Sequence, residues 1–232
     1  MRIGGLQKSS LLDYPGKISA VIFTIGCNFC CGFCHNQELI IDCSETFYIT
    51  EEAFFSFLDR RKKLLDAVVI TGGEPTLQKD LIDFIRRIKE KGFLVKLDTN
   101  GTNPRVMERL IGKGMIDFYA MDIKHRVEKE AYECVTARPI DITAINESIS
   151  LIQNSGADYE FRTTLIEGLH TFEDVISIAQ TLKGSRRYVL QKFVSREVLN
   201  DSTYKSKKAF SHKQLTELAR LCSDLVKECT IR

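Results

Sequence analysis

Ile18-Ser19-Ala20-Val21-Ile22-Phe23-Thr24-Ile25 runs directly into Gly26-Cys27-Asn28-Phe29-Cys30-Cys31-Gly32-Phe33-Cys34-His35-Asn36. The first part is short, apolar and rich in β-branched residues, which is the pattern of a strand buried on both faces. The second part is a loop holding four of the chain's eight cysteines within eight residues. In open parallel sheets, ligands gather at the carboxyl ends of the strands, and these cysteines follow such an end directly.

Strand-like runs recur at Asp66 to Thr71, Phe93 to Leu97, Ile116 to Ile123, Tyr159 to Ile166 and Arg187 to Phe193, making six with the first. Helical patterns alternate with them. Thr50-Glu51-Glu52 opens a helix to about Leu65, and Asp80 to Lys91 carries apolar residues at helical spacing. Pro104 starts a helix that stops near Gly112, and Asp141 caps one that ends before Gly156. Thr171 with Asp174 three residues on begins another helix, and Ser211 with Gln214 makes a capping-box start for a last helix expected to reach Cys229. A shorter helical piece covers Glu128 to Ala137. Six alternating units with right-handed crossovers predict an α/β fold, a partial (βα)6 barrel with a parallel sheet, spanning residues 1–232 as one domain. Its site is expected at the carboxyl ends of the strands.

Composition agrees with that class. A chain of 232 residues that is 44% hydrophobic and 28% charged can bury a core, which excludes disorder. Its 33 basic and 31 acidic residues leave a net charge of +2, giving no electrostatic reason to expect nucleic acid or an anionic membrane as partner. The apolar part of the uncharged stretch Ile18 to Gln37 ends near Ile25, too short to span a bilayer. No apolar leader opens the chain, so a cytoplasmic location is expected, where clustered cysteines mean metal chemistry more often than disulfides.

The other unusual residues fall at the other strand ends. Gly72-Gly73-Glu74-Pro75 follows the second strand, Asp98-Thr99-Asn100-Gly101 the third, and Asp122-Ile123-Lys124 ends the fourth. Arg162 lies in the fifth strand and Gln191 near the end of the sixth. One large polar site at one rim of the sheet is the expectation. For the cysteines themselves, a zinc ribbon needs two Cys-x2-Cys knuckles separated by a loop, and here Cys27/Cys30 abuts Cys31/Cys34. The alternative is a Cys-x3-Cys-x2-Cys loop of Cys27, Cys31 and Cys34 around an iron–sulfur cubane, leaving one iron without a protein ligand.

That spacing, with Phe33 before the last cysteine, resembles the signature of the radical S-adenosylmethionine (SAM) superfamily. Asp13-Tyr14-Pro15-Gly16-Lys17, Val21-Ile22-Phe23 and Cys34-His35-Asn36 are similar to the start of the glycyl-radical-enzyme activating enzymes. Over its length, including Leu190-Gln191-x-Phe193, the chain looks most like the short anaerobic ribonucleoside-triphosphate reductase activating proteins, although Cys30 stands where they usually carry arginine.

The resemblance implies a [4Fe–4S] cluster on Cys27, Cys31 and Cys34, with SAM chelating the open iron and Phe33 near its adenine. It implies that Gly72, Gly73 and Glu74 receive the methionyl ammonium. Asp98, Thr99 and Asp122 would bind SAM directly or through a monovalent cation, with Lys124 beside them. Arg162 and Gln191 join the set by their strand-end positions. The implied reaction is reductive cleavage of SAM to a 5′-deoxyadenosyl radical, which takes hydrogen from a glycine Cα of a large partner enzyme, with reduced flavodoxin or ferredoxin as electron donor. No side chain is needed as a general acid or base.

Plainer readings stand beside these. Glu74 can simply favour a helix N-terminus, and Asp98-Thr99-Asn100-Gly101 is also an ordinary turn sequence. Lys124 and Arg162 can meet solvent or each other, His35 can shape its loop, and Lys205, Lys207 and Lys208 read as a solvated loop. Cys43, Cys134, Cys222 and Cys229 lack ligand spacing and read as core, the last two on one helix face. Two other functions remain open at this point: a radical SAM enzyme for a small molecule or another glycyl radical enzyme, and a non-catalytic iron–sulfur electron carrier.

Overall fold

A computed structural model describes residues 1–40, 48–195 and 201–232. All six expected strands form, as β2 (Ser19–Thr24), β3 (Ala67–Gly72), β4 (Leu94–Thr99), β5 (Phe118–Asp122), β6 (Asp158–Leu165) and β7 (Tyr188–Lys192). They lie side by side in chain order and pair in parallel.

Two strands extend this set at its edges. The first, β1 (Ile3–Ser10), folds back antiparallel on β2, and β8 (Cys229–Ile231) pairs in parallel with β7. The result is an open eight-stranded sheet in the order β1 to β8, an incomplete barrel rather than a closed one.

The helices are α1 (Glu51–Arg61), α2 (Leu81–Glu90), α3 (Pro104–Gly112), α4 (Lys129–Thr136), α5 (Ile142–Gln153), α6 (Phe172–Thr181) and α7 (His212–Cys222). Thr50 and Asp141 cap α1 and α5 through their side chains, the expected capping box Ser211–Gln214 forms on α7, and Thr171 with Asp174 makes a second one on α6. The last helix is shorter than expected. It ends at Cys222, and Cys229 lies on β8 opposite Tyr188, so the two cysteines do not share a helix face. Cys222 is buried, Cys229 half-buried and Cys134 exposed, so Cys134 is not core, while Cys43 lies outside the described residues.

Side chains alternate across each strand, and the two faces of the sheet differ in character. One face carries Ile22, Val68, Ile70, Val95, Leu97, Tyr119, Met121 and Phe161 into the large core beneath the helices. The other gathers the smaller set Val21, Ala67, Val69, Phe118 and Ala120 around Tyr14. Lys96, Asp98, Asp122, Glu160 and Arg162 lie on that second face by their register with Phe118 and Ala120. Polar residues on the inner side of a partial barrel must be paired to be tolerated, and that pairing shapes the site.

Candidate active site

The cysteine loop is held from three sides. The Cys30 amide donates to the Thr136 carbonyl at the end of α4 (2.8 Å), and the Asp201 amide donates to the Gly32 carbonyl (2.9 Å). Asn28 accepts from Asn100 Nδ2 (2.9 Å) and donates to Thr102 Oγ1 (2.8 Å), joining the loop to the end of β4. His35 Nε2 donates to the Val194 carbonyl (2.8 Å) and its ring stacks on Phe193, which holds the end of the loop in shape.

The glycine-rich turn after β3 closes against the base of this loop. The Gly73 amide donates to the Thr24 carbonyl and the Glu74 amide to the Gly26 carbonyl, both at 2.8 Å. Gly72 has φ +115°, and a Cβ on Gly73 would sit 2.2 Å from the Gly26 carbonyl oxygen, so the approach requires glycine. Glu74 is then buried between two loops. Its Oε1 accepts from the Thr76 amide (3.1 Å), Thr76 Oγ1 (2.6 Å) and Thr99 Oγ1 (2.7 Å), and its Oε2 from the Asn100 amide (2.7 Å). Burial pushes the Glu74 carboxyl above its ordinary range, and these bonds pull back toward the charged form.

Beside it runs an ionic ladder on the inner face. Asp98 accepts from Lys96 Nζ (2.7 Å) and Arg162 Nη1 (3.1 Å), while Asp122 accepts from Arg162 Nε (2.8 Å) and Lys124 Nζ (3.0 Å). Burial alone would raise both carboxyls, but Arg162 with Lys96 outweighs it at Asp98, and Arg162 with Lys124 outweighs it at Asp122. Both are held below the usual carboxylate range. Burial would lower Lys124, yet Asp122 and Cys31 hold its ammonium above the usual range.

These parts enclose a cleft of about 220 Å³ at the carboxyl ends of the strands. Cys27, Cys31, Cys34, Phe33, Gly72, Gly73, Glu74, Asp98, Thr99, Asp122 and Lys124 all line it. Arg162 and Gln191 do not. Arg162 lies beneath, clamping the two aspartates, and Gln191 Oε1 accepts from Thr164 Oγ1 at 3.5 Å. Asn100 and Lys96 were missing from the sequence-based set. A readable signal existed for Lys96, because a residue two before Asp98 on a strand must share its face.

Cys30, unlike its three neighbours, does not line the cleft. Burial pushes the Cys27 thiol up to about 12 and Cys31 to about 11, and raises Cys34 as well, so loading metal here must displace protons. Among the described residues, no three His, Cys, Asp or Glu side chains converge closely enough to hold a single ion. A mononuclear zinc site is therefore a poor match. A cubane suits the donor set better, because its thiolates bind different irons and stand further apart. At Asp98 and Asp122, where a monovalent cation was expected, each carboxylate oxygen already accepts from a fixed cation, Lys96, Arg162 or Lys124.

The family model described as Radical SAM superfamily matches residues 21–182, from the strand before the cysteine loop through α6. The chain belongs to the radical SAM superfamily. Within it, the chain belongs to the glycyl-radical enzyme activating group, being 37% identical over 233 residues to a Methanocaldococcus jannaschii protein named as such, across 99% of this chain and 95% of that one. It is 28% identical over 191 residues to the pyruvate formate-lyase-activating enzyme of Clostridium pasteurianum, covering 80% and 77% of the two chains. The crystal structure of Streptococcus suis SuiB bound to S-adenosylmethionine shares the fold, with a TM-score of 0.71 at 15% identity over 91% of this chain and 49% of that one. This radical SAM fold thus brings the cysteine loop, the glycine-rich turn and the ionic ladder to one cleft. Among the described residues no helix is long and apolar enough to cross a membrane.

Proposed function

We propose that this chain cleaves SAM reductively and installs a glycyl radical on a partner enzyme, an anaerobic ribonucleoside-triphosphate reductase, taking its electron from reduced flavodoxin or ferredoxin. The observation that carries the reading is the single cleft in which Cys27, Cys31 and Cys34 face Glu74, Asp98 and Lys124. When bound there by the three thiolates, a [4Fe–4S] cluster supplies the electron that breaks the S–C5′ bond of SAM and so yields the radical that takes a glycine hydrogen.

The chain's own residues position and shield. Glu74 Oε2 accepts one internal hydrogen bond and keeps a lone pair for the methionyl ammonium, while Gly72 and Gly73 let backbone approach that group. Phe33, buried against Tyr204 at 5.9 Å, offers an apolar wall to adenine. The Lys124 ammonium spends one proton on Asp122 and has others to direct at a carboxylate. No group is needed as a base, because the reaction moves a hydrogen atom and not a proton.

The position of the cleft suits a macromolecular substrate. What supports this is that the cleft opens at the carboxyl-end rim of an open sheet, where a macromolecule can reach SAM from outside. The test is anaerobic reconstitution, then dithionite and SAM. The expected product is 5′-deoxyadenosine, followed by a glycyl radical signal in electron paramagnetic resonance when the reductase is added. Absence of 5′-deoxyadenosine from cluster-loaded protein overturns the reading, and its formation with a silent reductase spectrum overturns the partner.

A further inference from the structure

Lys96 is the most deeply buried lysine among the described residues, at 2% exposure. An ammonium taken from water costs several kcal/mol unless it is paired, so a lysine on the inner face of the sheet needs a reason to be there. Its Nζ stands 2.7 Å from Asp98 Oδ1 and 5.8 Å from the centre of the Phe118 ring. Asp98 in turn lines the cleft, and its other oxygen is held by Arg162.

We propose that Lys96 is a built-in counter-ion for the SAM site, its ammonium standing beside Asp98 in place of an alkali cation, so that SAM binding by this chain needs neither sodium nor potassium. The proposal rests on the reading of the cleft as a SAM site. A lysine ammonium carries the same single charge as an alkali ion and, like one, satisfies a carboxylate oxygen. Lys96, Arg162, Lys124 and Arg232 set four positive charges against the three of Asp98, Asp122 and Glu160, so a further cation would enter a ladder with surplus positive charge. Lys96 does not line the cleft; it acts through Asp98 and is a positioning residue.

The experiment compares the reconstituted full-length chain in potassium chloride and in N-methylglucamine chloride at equal ionic strength. SAM affinity and melting temperature should be the same in both salts. In Lys96→Met, SAM affinity should fall at least about tenfold in N-methylglucamine and recover with potassium, because an uncompensated buried carboxylate then recruits the free ion. Loss of wild-type affinity or stability on removing alkali ions overturns the proposal, as does a Lys96→Met defect that potassium leaves unchanged. If Lys96→Met fails to fold, Lys96→Gln carries the same comparison. If the wild type does not bind SAM at all, the reading of the cleft fails, and melting of the cluster-free chain in the two salts still decides the role of Lys96.

Discussion

At the scale of single residues, Glu74 shows how a site side chain serves structure as well. Its four internal hydrogen bonds join the turn after β3 to the end of β4, so the cleft wall and the ligand group are one object. Glu74→Gln replaces an acceptor oxygen with an amide NH2, which must face the Asn100 amide or the Thr76 and Thr99 donors. A buried donor left without an acceptor costs about 1–3 kcal/mol. The expected result is a lower urea midpoint together with weaker SAM binding, and an unchanged midpoint counts against the latch. The helix N-terminus reading of Glu74 also holds locally, since it caps the short turn Pro75–Leu77 through the Thr76 amide. Its reach to Thr99 and Asn100 could not be read from the sequence, because those residues are distant in the chain and meet it only through the β3–β4 pairing.

At the scale of elements, the strongly patterned segments were readable and the weakly patterned ones were not. Caps at Thr50, Asp141, Thr171 and Ser211 act over three residues or fewer, so their chemistry is local and visible. The first strand reads Ile3-Gly4-Gly5-Leu6-Gln7-Lys8-Ser9-Ser10, with two glycines and no sustained alternation, and only its pairing with β2 makes it a strand. Between Cys222 and Cys229 there is no glycine or proline to stop a helix, yet the chain turns because the Gly184 amide takes the Leu225 carbonyl and β7 accepts β8 as a neighbour. Tertiary pairing overrode helical propensity there.

A second element-scale link joins the loops after β5 and β6. The rings of His125 and His170 stack at 5.0 Å; His170 Nδ1 accepts from the Ile166 amide, so its Nε2 donates to the Lys124 carbonyl (3.0 Å). Burial, with the neighbouring His125, holds His170 below its ordinary value despite Asp174 nearby. A histidine depressed in the folded state contributes stability above its unfolded pKa of about 6.5, and that contribution is lost as pH falls through the lower folded value. Wild-type melting temperature should therefore fall between about pH 7 and pH 5. His170→Gln should melt lower at pH 7 and show a shallower fall, and an equal slope in both proteins would place the pH sensitivity elsewhere.

Across the whole molecule, one ionic ladder crosses the inner face of the open sheet. Arg162 on β6 bridges Asp98 on β4 and Asp122 on β5, and it approaches Glu160 Oε1 at 3.9 Å. Glu160, fully buried, is held in turn by both terminal nitrogens of Arg232, at 3.0 Å each, beyond β8. An open sheet lacks the closure that rigidifies a full barrel, and this ladder ties four strand positions that closure would otherwise hold. Removing its central cation should leave two half-buried carboxylates under-compensated, a loss below the ~3–5 kcal/mol of a fully buried pair broken on one side because Asp122 keeps 30% exposure. The sign of its pH dependence follows from the aspartates. Both are depressed in the folded protein, so their contribution is complete above about pH 4 and is lost as pH falls through their folded values. In Arg162→Gln the two carboxyls should titrate higher, so the deficit in urea midpoint relative to wild type should be largest at pH 7 and shrink toward pH 4 as they protonate. A deficit that stays constant over that range would mean that Arg162 stabilises the sheet by packing its side chain, and that the ladder's charges are not what holds the open barrel together.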